Sequence, residues 1–144
     1  MSSPQNLIGK SGVRVLVADD FHDGAEALGD LLRMSGCRVV VTRNGEQAVD
    51  AAKTFQPQLV IVDLHMPGMD GFETIAAIKQ QSGADRSVYV AYTANDHPKV
   101  LAKVKQAGFH HLILKASSGY ERFEEILATF PVPPSSPSPS DPDS

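Results

Sequence analysis

The stretch Leu59-Val-Ile-Val-Asp63 decides the fold, because four apolar residues in a row end there at a carboxylate. A short, continuous apolar run of this kind is typical of a strand buried on both faces, as in a parallel sheet. Val13–Ala18 ends in the same way, at Asp19-Asp20. Three further runs have the same character: Val39–Val41, Val88–Ala91 and Leu112–Leu114. The sequence therefore predicts five buried strands.

Segments with apolar residues at helical spacing separate these runs. The five stripes are Ala25, Leu28, Leu31 and Leu32; Ala48, Ala51, Ala52 and Phe55; Phe72, Ile75, Ala76 and Lys79; Val100, Leu101, Val104 and Ala107; and Phe123, Ile126 and Leu127, in a segment from about Ser118 to Phe130. Five strands that alternate with five helices predict an α/β, (βα)5 chain. Short crossovers of fixed hand make it a doubly wound, parallel five-stranded sheet.

The composition limits the class of function. The chain has 144 residues, 17 acidic against 13 basic residues, a net charge of −4 and a single cysteine, Cys37. One cysteine excludes an intrachain disulfide or a cysteine zinc cluster, and the absence of a basic run argues against a nucleic-acid partner. No apolar run has membrane length, so we expect no membrane partner and a cytoplasmic location. We expect a flexible leader at 1–12, one domain at 13–130 and a disordered Pro/Ser-rich tail at 131–144.

Polar side chains stand at the ends of four predicted strands: Asp19-Asp20, Asp63, Thr93 and Lys115. In a doubly wound sheet, the binding crevice lies outside the carboxyl ends of the strands, so these groups are expected to meet there. Three carboxylates within ~5 Å repel one another by a few kcal/mol per pair at an effective dielectric constant near 20. Lys115 offsets one charge, and a divalent cation suits the remainder. Oxygen ligands in a shallow, wet site favour Mg²⁺.

The same residues suit chemistry at phosphorus. A carboxylate such as Asp63, held beside a metal and a lysine, is a plausible nucleophile towards phosphorus, and Lys115 and Thr93 are suited to neutralise and hydrogen-bond phosphoryl oxygens. Each residue also has a simpler interpretation. Asp63 and Asp19-Asp20 are good caps for a turn or a helix, Thr93 is a good strand residue, and Lys115 is a common surface residue.

In their order and spacing, these motifs resemble the receiver domains of two-component response regulators, of the single-domain, chemotaxis-regulator type. The most specific portions are Val13–Asp20 and Leu59–Gly71, with support from Asn44–Ala48, Ala91–Ala94 and Ala107–Phe109. The resemblance covers about residues 13 to 130. It implies a flavodoxin-like sheet with strand order 2-1-3-4-5.

The resemblance also implies that Asp63 accepts a phosphoryl group from a phosphohistidine on a histidine kinase or a histidine phosphotransfer protein. Asp20, Asp63 and the backbone carbonyl of His65 would bind Mg²⁺ directly, and Asp19 would act mainly through a water molecule on the metal. Thr93 and Lys115 would contact the phosphoryl oxygens.

Further roles implied by the resemblance concern regulation and output. The side chains of His65 and Asn95 would modulate the lifetime of the acyl phosphate. The face formed by the fourth helix, fifth strand and fifth helix would contact a downstream protein. Such a domain is a phosphoryl acceptor with at most slow self-dephosphorylation, and is not an enzyme that turns over a free substrate.

Two residues depart from the family pattern. Ala116 stands where receivers usually have a proline joined to the lysine by a cis peptide bond, so we expect either a strained cis bond or a trans bond with Lys115 aimed differently. Leu112 stands at a position that is usually an aromatic switch residue. These departures support an alternative hypothesis, a pseudo-receiver that binds partners without phosphorylation. A third, an aspartyl phosphohydrolase, is disfavoured because His65 occupies the place of its usual second aspartate.

Overall fold

The computed structural model describes residues 12–81, 83, 86–116 and 120–130. Five strands alternate with five helices within these ranges: β1 (Arg14–Ala18), α1 (His22–Met34), β2 (Arg38–Thr42), α2 (Gly45–Phe55), β3 (Leu59–Val62), α3 (Gly71–Lys79), β4 (Val88–Thr93), α4 (Pro98–Ala107), β5 (His111–Leu114) and α5 (Glu121–Leu127). The paired strands are parallel, in the order β2-β1-β3-β4-β5. The predicted fold class and strand order are confirmed.

Element bounds differ from the prediction by a few residues. Strands β2 and β5 each begin one residue earlier than expected. Helix α5 ends at Leu127 and not at Phe130, because the amides of Thr129 and Phe130 bond three residues back, which makes a tighter turn. The predicted leader, apart from Gly12, the tail and the start of the last helical segment at Ser118 lie outside the described residues. No helix in the described part of the chain is long and apolar enough to cross a bilayer.

Alternation along the strands divides the core into two clusters on opposite faces of the sheet. Val15 and Val17 of β1, with Leu59 and Ile61 of β3, pack against α1 and α5. The intervening residues of these strands pack against α2, α3 and α4. Asp19 and Asp63 lie two residues beyond Val17 and Ile61, so the same alternation places them on the face that α1 and α5 cover.

Two apolar stripe residues predicted to face the core do not, and Lys79 of the third stripe is exposed as well. Leu31 of α1 is 42% exposed, and Ala76 of α3 is also exposed. Each lies at the edge of its helix's apolar face, and the residues that point at the sheet are Leu28 and Leu32 in α1 and Ile75 and Ile78 in α3. The apolar spacing predicted the positions of the helices correctly, but in α1 and α3 it assigned one apolar residue too many to the face that packs on the sheet.

The start of α3 is held against the end of β3. Asp70 caps the helix by accepting a hydrogen bond from the backbone N–H of Glu73 at 2.8 Å, and the Glu73 carboxylate accepts one from the Asp70 backbone N–H at 2.9 Å. Gly71 follows, and its N–H donates to the carbonyl of Leu64. A Cβ at Gly71 would lie 2.6 Å from the carbonyl oxygen of Asp63. Glycine is therefore required here for helix and strand end to approach.

We expect Gly71→Ala to lower the free energy of unfolding by about 1–3 kcal/mol, because the added methyl overlaps backbone atoms that cannot move independently. Gly24→Ala is the matched control. Its added Cβ would meet only the exposed ring of Phe21, and alanine favours a helix interior. Urea unfolding of the three proteins measures both effects, and an equal loss in the two variants would contradict the assigned role of Gly71.

Candidate functional site

Backbone hydrogen bonds extend the sheet by one step beyond the strands and so hold the polar residues in place. The amide of Asp19 donates to Thr42, that of Asp63 to Ala18, and that of Lys115 to Thr93, at 2.8–3.1 Å. The carboxylates of Asp19, Asp20 and Asp63 meet at this edge, each with an oxygen within 4.8 Å of an oxygen of the other two. Asp19 and Asp63 are buried and Asp20 is exposed.

Lys115 contacts both buried carboxylates. Its ammonium donates to Oδ2 of Asp19 at 2.7 Å and to Oδ2 of Asp63 at 3.4 Å. No peptide bond among the described residues is cis, so the bond from Lys115 to Ala116 is trans. The expectation that a trans bond would aim the lysine elsewhere is wrong, because its flexible four-carbon side chain still reaches the two negative charges.

The three polar side chains that end β1, β3 and β4 share one local structure. In each, a side-chain oxygen accepts a hydrogen bond from the backbone N–H two residues later: Asp19 from Phe21 at 3.0 Å, Asp63 from His65 at 3.1 Å, and Thr93 from Asn95 at 3.2 Å. This turn is typical of aspartate, asparagine, serine and threonine. In each carboxylate it fixes Oδ1 and leaves Oδ2 directed into the site. The simpler interpretation of Asp63 as a turn residue is thus compatible with a role in the site.

Thr93 is fully buried and lies on the opposite face of β4 from the residue before it, Tyr92. Its hydroxyl forms no hydrogen bond to the three carboxylates in the described part of the chain. Thr93 is connected to Asp63 indirectly, through the loop after β4. Its oxygen accepts from the Asn95 N–H, Nδ2 of Asn95 lies 3.1 Å from Nε2 of His65, and the His65 N–H donates to Asp63. The two residues expected to modulate the site therefore bridge the loops after β3 and β4.

Burial and charge shift the pKa values of the central groups. Burial raises the pKa of Asp63 from 3.8 to about 6; the His65 N–H and the Lys115 charge oppose this rise, and the Asp19 charge adds to it. For Lys115, burial lowers the pKa, but the hydrogen bond and charge of Asp19, together with Asp63, outweigh it, and the pKa is raised. The site therefore holds a firmly protonated lysine beside a carboxylate whose ionisation is costly.

The donor set fits a hard divalent cation. Three carboxylates offer oxygen ligands only, and one lysine leaves the site with excess negative charge. The exposed Asp20 opens the cluster to solvent, which suits an ion that keeps part of its water shell. The raised pKa of Asp63 indicates that the carboxylates repel one another and lie in a poorly solvated place, which a bound cation would relieve.

The structure brings Asp19, Asp20, Asp63 and Lys115 together, with His65 and Asn95 joined above them and Thr93 at the neighbouring strand end. Sequence reasoning missed Tyr92, whose ring lies beneath the Lys115 ammonium at 5.3 Å. Strand alternation contained the signal, because Tyr92 is paired with Ile113 and so shares a face with Lys115, two residues further on.

We expect Asp63→Asn to be more stable than the wild type at pH 7.5 in EDTA. The folded-state pKa of about 6 exceeds the ordinary 3.8, so the folded protein binds the extra proton and loses stability as pH rises through this range. Each pKa unit corresponds to about 1.4 kcal/mol, which sets an upper limit of about 3 kcal/mol. Thermal unfolding at pH 7.5 and at pH 4 measures the difference, which should shrink at pH 4.

Asp50→Asn, at an exposed position in α2, is the control and should change stability little at either pH. A variant at position 63 that is less stable than the wild type at pH 7.5 would contradict the assigned charge strain.

Comparison with known proteins identifies the family. Residues 15–127 match the model of the response regulator receiver domain. The chain is 34% identical over 105 residues to the sensory/regulatory protein RpfC of Xanthomonas campestris, a match that covers 72% of this chain but only 14% of RpfC.

Solved structures agree on the fold. The chemotaxis protein CheY4 of Vibrio cholerae superposes with a TM-score of 0.75 at 24% identity, covering 81% of this chain and 97% of CheY4. The receiver domain of the sensor histidine kinase PA1611 of Pseudomonas aeruginosa, solved with a magnesium ion in its active-site cleft, gives a TM-score of 0.73 at 26% identity and covers 81% and 95%. Because the family match spans well over half of the sequence, this chain belongs to the receiver domains of two-component response regulators.

Proposed function

We propose that this chain is a phosphoacceptor in a two-component phosphorelay and that Asp63 takes a phosphoryl group from a phosphohistidine. The observation that carries the proposal is the position of the Asp63 carboxylate, buried among Asp19, Asp20 and the Lys115 ammonium. A histidine kinase or a histidine phosphotransfer protein supplies the phosphohistidine. A chain of this kind is the acceptor in the transfer and not a conventional enzyme.

The step joins one oxygen of Asp63 to phosphorus and breaks the phosphorus–nitrogen bond of the donor. The electron pair of that bond leaves with the donor imidazole. Oδ2 of Asp63 is the attacking atom, because Oδ1 is held by the His65 N–H. Transfer of this kind passes through a loose transition state, so positioning and charge neutralisation supply most of the catalysis.

Lys115 and Thr93 stabilise the product. Lys115 already donates to Asp63 at 3.4 Å and to Asp19 at 2.7 Å, so a short movement carries its charge onto a phosphoryl oxygen. The Thr93 oxygen accepts from the Asn95 N–H, which leaves its hydroxyl hydrogen to donate to another phosphoryl oxygen.

Mg²⁺ is the proposed metal. Asp20, Asp63 and the carbonyl of His65 would hold it, and Asp19 would act through a water molecule. When bound, the ion neutralises charge on the carboxylates and on the phosphoryl group that approaches them. The side chains of His65 and Asn95 lie across the adjoining loops. We propose that they control access of water and thereby the slow loss of the phosphoryl group.

Two surfaces are proposed for partners. Phe21, 63% exposed, stands directly after Asp20 and offers an apolar contact to a phosphodonor at the mouth of the site. A downstream protein contacts the α4–β5–α5 face, where residues that include Leu101, Val104 and Leu112 line a groove of about 350 Å³. The cytoplasmic location expected from the sequence remains a prediction.

Incubation with acetyl phosphate and Mg²⁺ should add one phosphoryl group to the chain. Intact-mass measurement should show the added phosphoryl group, and mild alkali should remove it, as expected for an acyl phosphate. Asp63→Asn should reduce the labelling at least a hundredfold, because the attacking oxygen is gone. The control Asp50→Asn should label like the wild type.

Equal labelling of Asp63→Asn and the wild type would overturn the assignment of Asp63. A chain that takes no phosphate from acetyl phosphate or phosphorylated kinases, yet binds its partner, would be a pseudo-receiver.

Mg²⁺ should raise the thermal midpoint of the wild type by several degrees, because binding to the folded state alone stabilises it. Asp20→Asn should lose most of this rise, since it removes an exposed ligand oxygen from the cluster. Differential scanning fluorimetry with 0–10 mM MgCl₂ measures the shift, with Asp23→Asn, in the first turn of α1, as the control. An equal shift in all three proteins would exclude the proposed site.

A further inference from the structure

The Lys115 ammonium has a third contact besides the two carboxylates. It lies over the ring of Tyr92, 5.3 Å from the ring centroid. A cation over an aromatic face is attracted to the negative face of the ring. Tyr92 belongs to β4 and is paired with Ile113 of β5, so its side chain emerges on the same sheet face as Lys115.

The Tyr92 ring is itself held in place. Phe123 of α5 packs edge-on against it, with the ring centroids 5.3 Å apart and the planes at 80°. Phe123 is buried and sits in the cluster formed by α1, α5 and the sheet. It also contacts Tyr120, whose hydroxyl donates to the carbonyl of Leu31 in α1. The ring beneath Lys115 is therefore packed directly against α5, and α5 is linked to α1 through Tyr120.

Lys115 needs the support of this ring because its backbone constrains the ammonium weakly. The lysine side chain is a flexible chain of four carbons joined by single bonds that rotate. The next residue, Ala116, carries only a methyl group and does little to restrict it. The nearer carboxylate is that of Asp19 at 2.7 Å, compared with 3.4 Å for Asp63. Carboxylate contacts alone therefore draw the ammonium towards Asp19 and away from the attacking residue.

We infer that Tyr92 is a positioning residue that holds the Lys115 ammonium within reach of the phosphoryl group on Asp63. This inference rests on the proposed function of Asp63. The face of the ring supplies the contact, so phenylalanine can replace tyrosine here. Leucine fills similar space without an aromatic face and cannot.

The test compares phosphorylation rates by acetyl phosphate at saturating Mg²⁺. Tyr92→Phe should stay within about twofold of the wild type, and Tyr92→Leu should be slower by about 3- to 30-fold, the range expected for loss of a cation–π contact. Val90→Ala is the control for lost packing, because Val90 is buried on the same face of the same strand. It should lower the thermal midpoint but leave the rate within about twofold.

A double-mutant cycle tests whether Tyr92 acts through Lys115. In a Lys115→Ala background, the further change Tyr92→Leu should slow the residual reaction less than twofold. A similar slowing in both backgrounds would overturn the inference, as would Val90→Ala slowing the reaction as much as Tyr92→Leu.

NMR supplies a readout that does not depend on phosphorylation. Methylene protons over an aromatic ring are shifted upfield, so the Lys115 ε protons should show this shift in the wild type and Val90→Ala and lose it in Tyr92→Leu. If the shift is present and the wild type takes no phosphate, the proposed function fails while the contact stands. If the wild type is phosphorylated and the shift is absent, the inference fails alone.

Discussion

The attraction between one ammonium and two buried carboxylates makes this site possible. Parallel strands deliver Asp19 and Asp63 to the same edge, where burial and mutual repulsion make ionisation unfavourable and raise the pKa of Asp63 to about 6. Lys115 offsets part of this charge without cancelling it. The remaining negative charge suits the site to the proposed cation, and the partial neutralisation by Lys115 lets the fold accommodate two buried acids there.

Much of the fold and part of the site could be predicted from the sequence. Strands buried on both faces are uniformly apolar, so the runs ending at Asp19 and Asp63 gave the β1 and β3 positions directly. Polar side chains at strand ends are conspicuous because they interrupt such runs. Helix faces were less well predicted, as Leu31 shows, since spacing locates a stripe but does not fix its edges.

The strand ends predicted that Lys115 meets the carboxylates, but the direction of its side chain could not be derived in this way. In the family pattern a proline follows this lysine, and Ala116 at that position predicts that a trans peptide bond aims Lys115 differently. In the structure, the side chain is directed by what surrounds its charged end, Asp19, Asp63 and the Tyr92 ring, whereas the peptide bond that follows is trans. The contact with the Tyr92 ring joins residues far apart in the chain, and a local sequence motif does not predict it.

The turns that follow β1 and β3 set a limit on side-chain length as well as on charge. In each, one carboxylate oxygen reaches the backbone N–H two residues ahead while the other faces the pocket. Glutamate carries the same charge, but its extra methylene group carries both oxygens past the amide, and the turn loses its closing bond. Aspartate is thus the only acidic residue short enough to bond the backbone N–H and face the pocket at once, and exchange for glutamate is not a conservative change here.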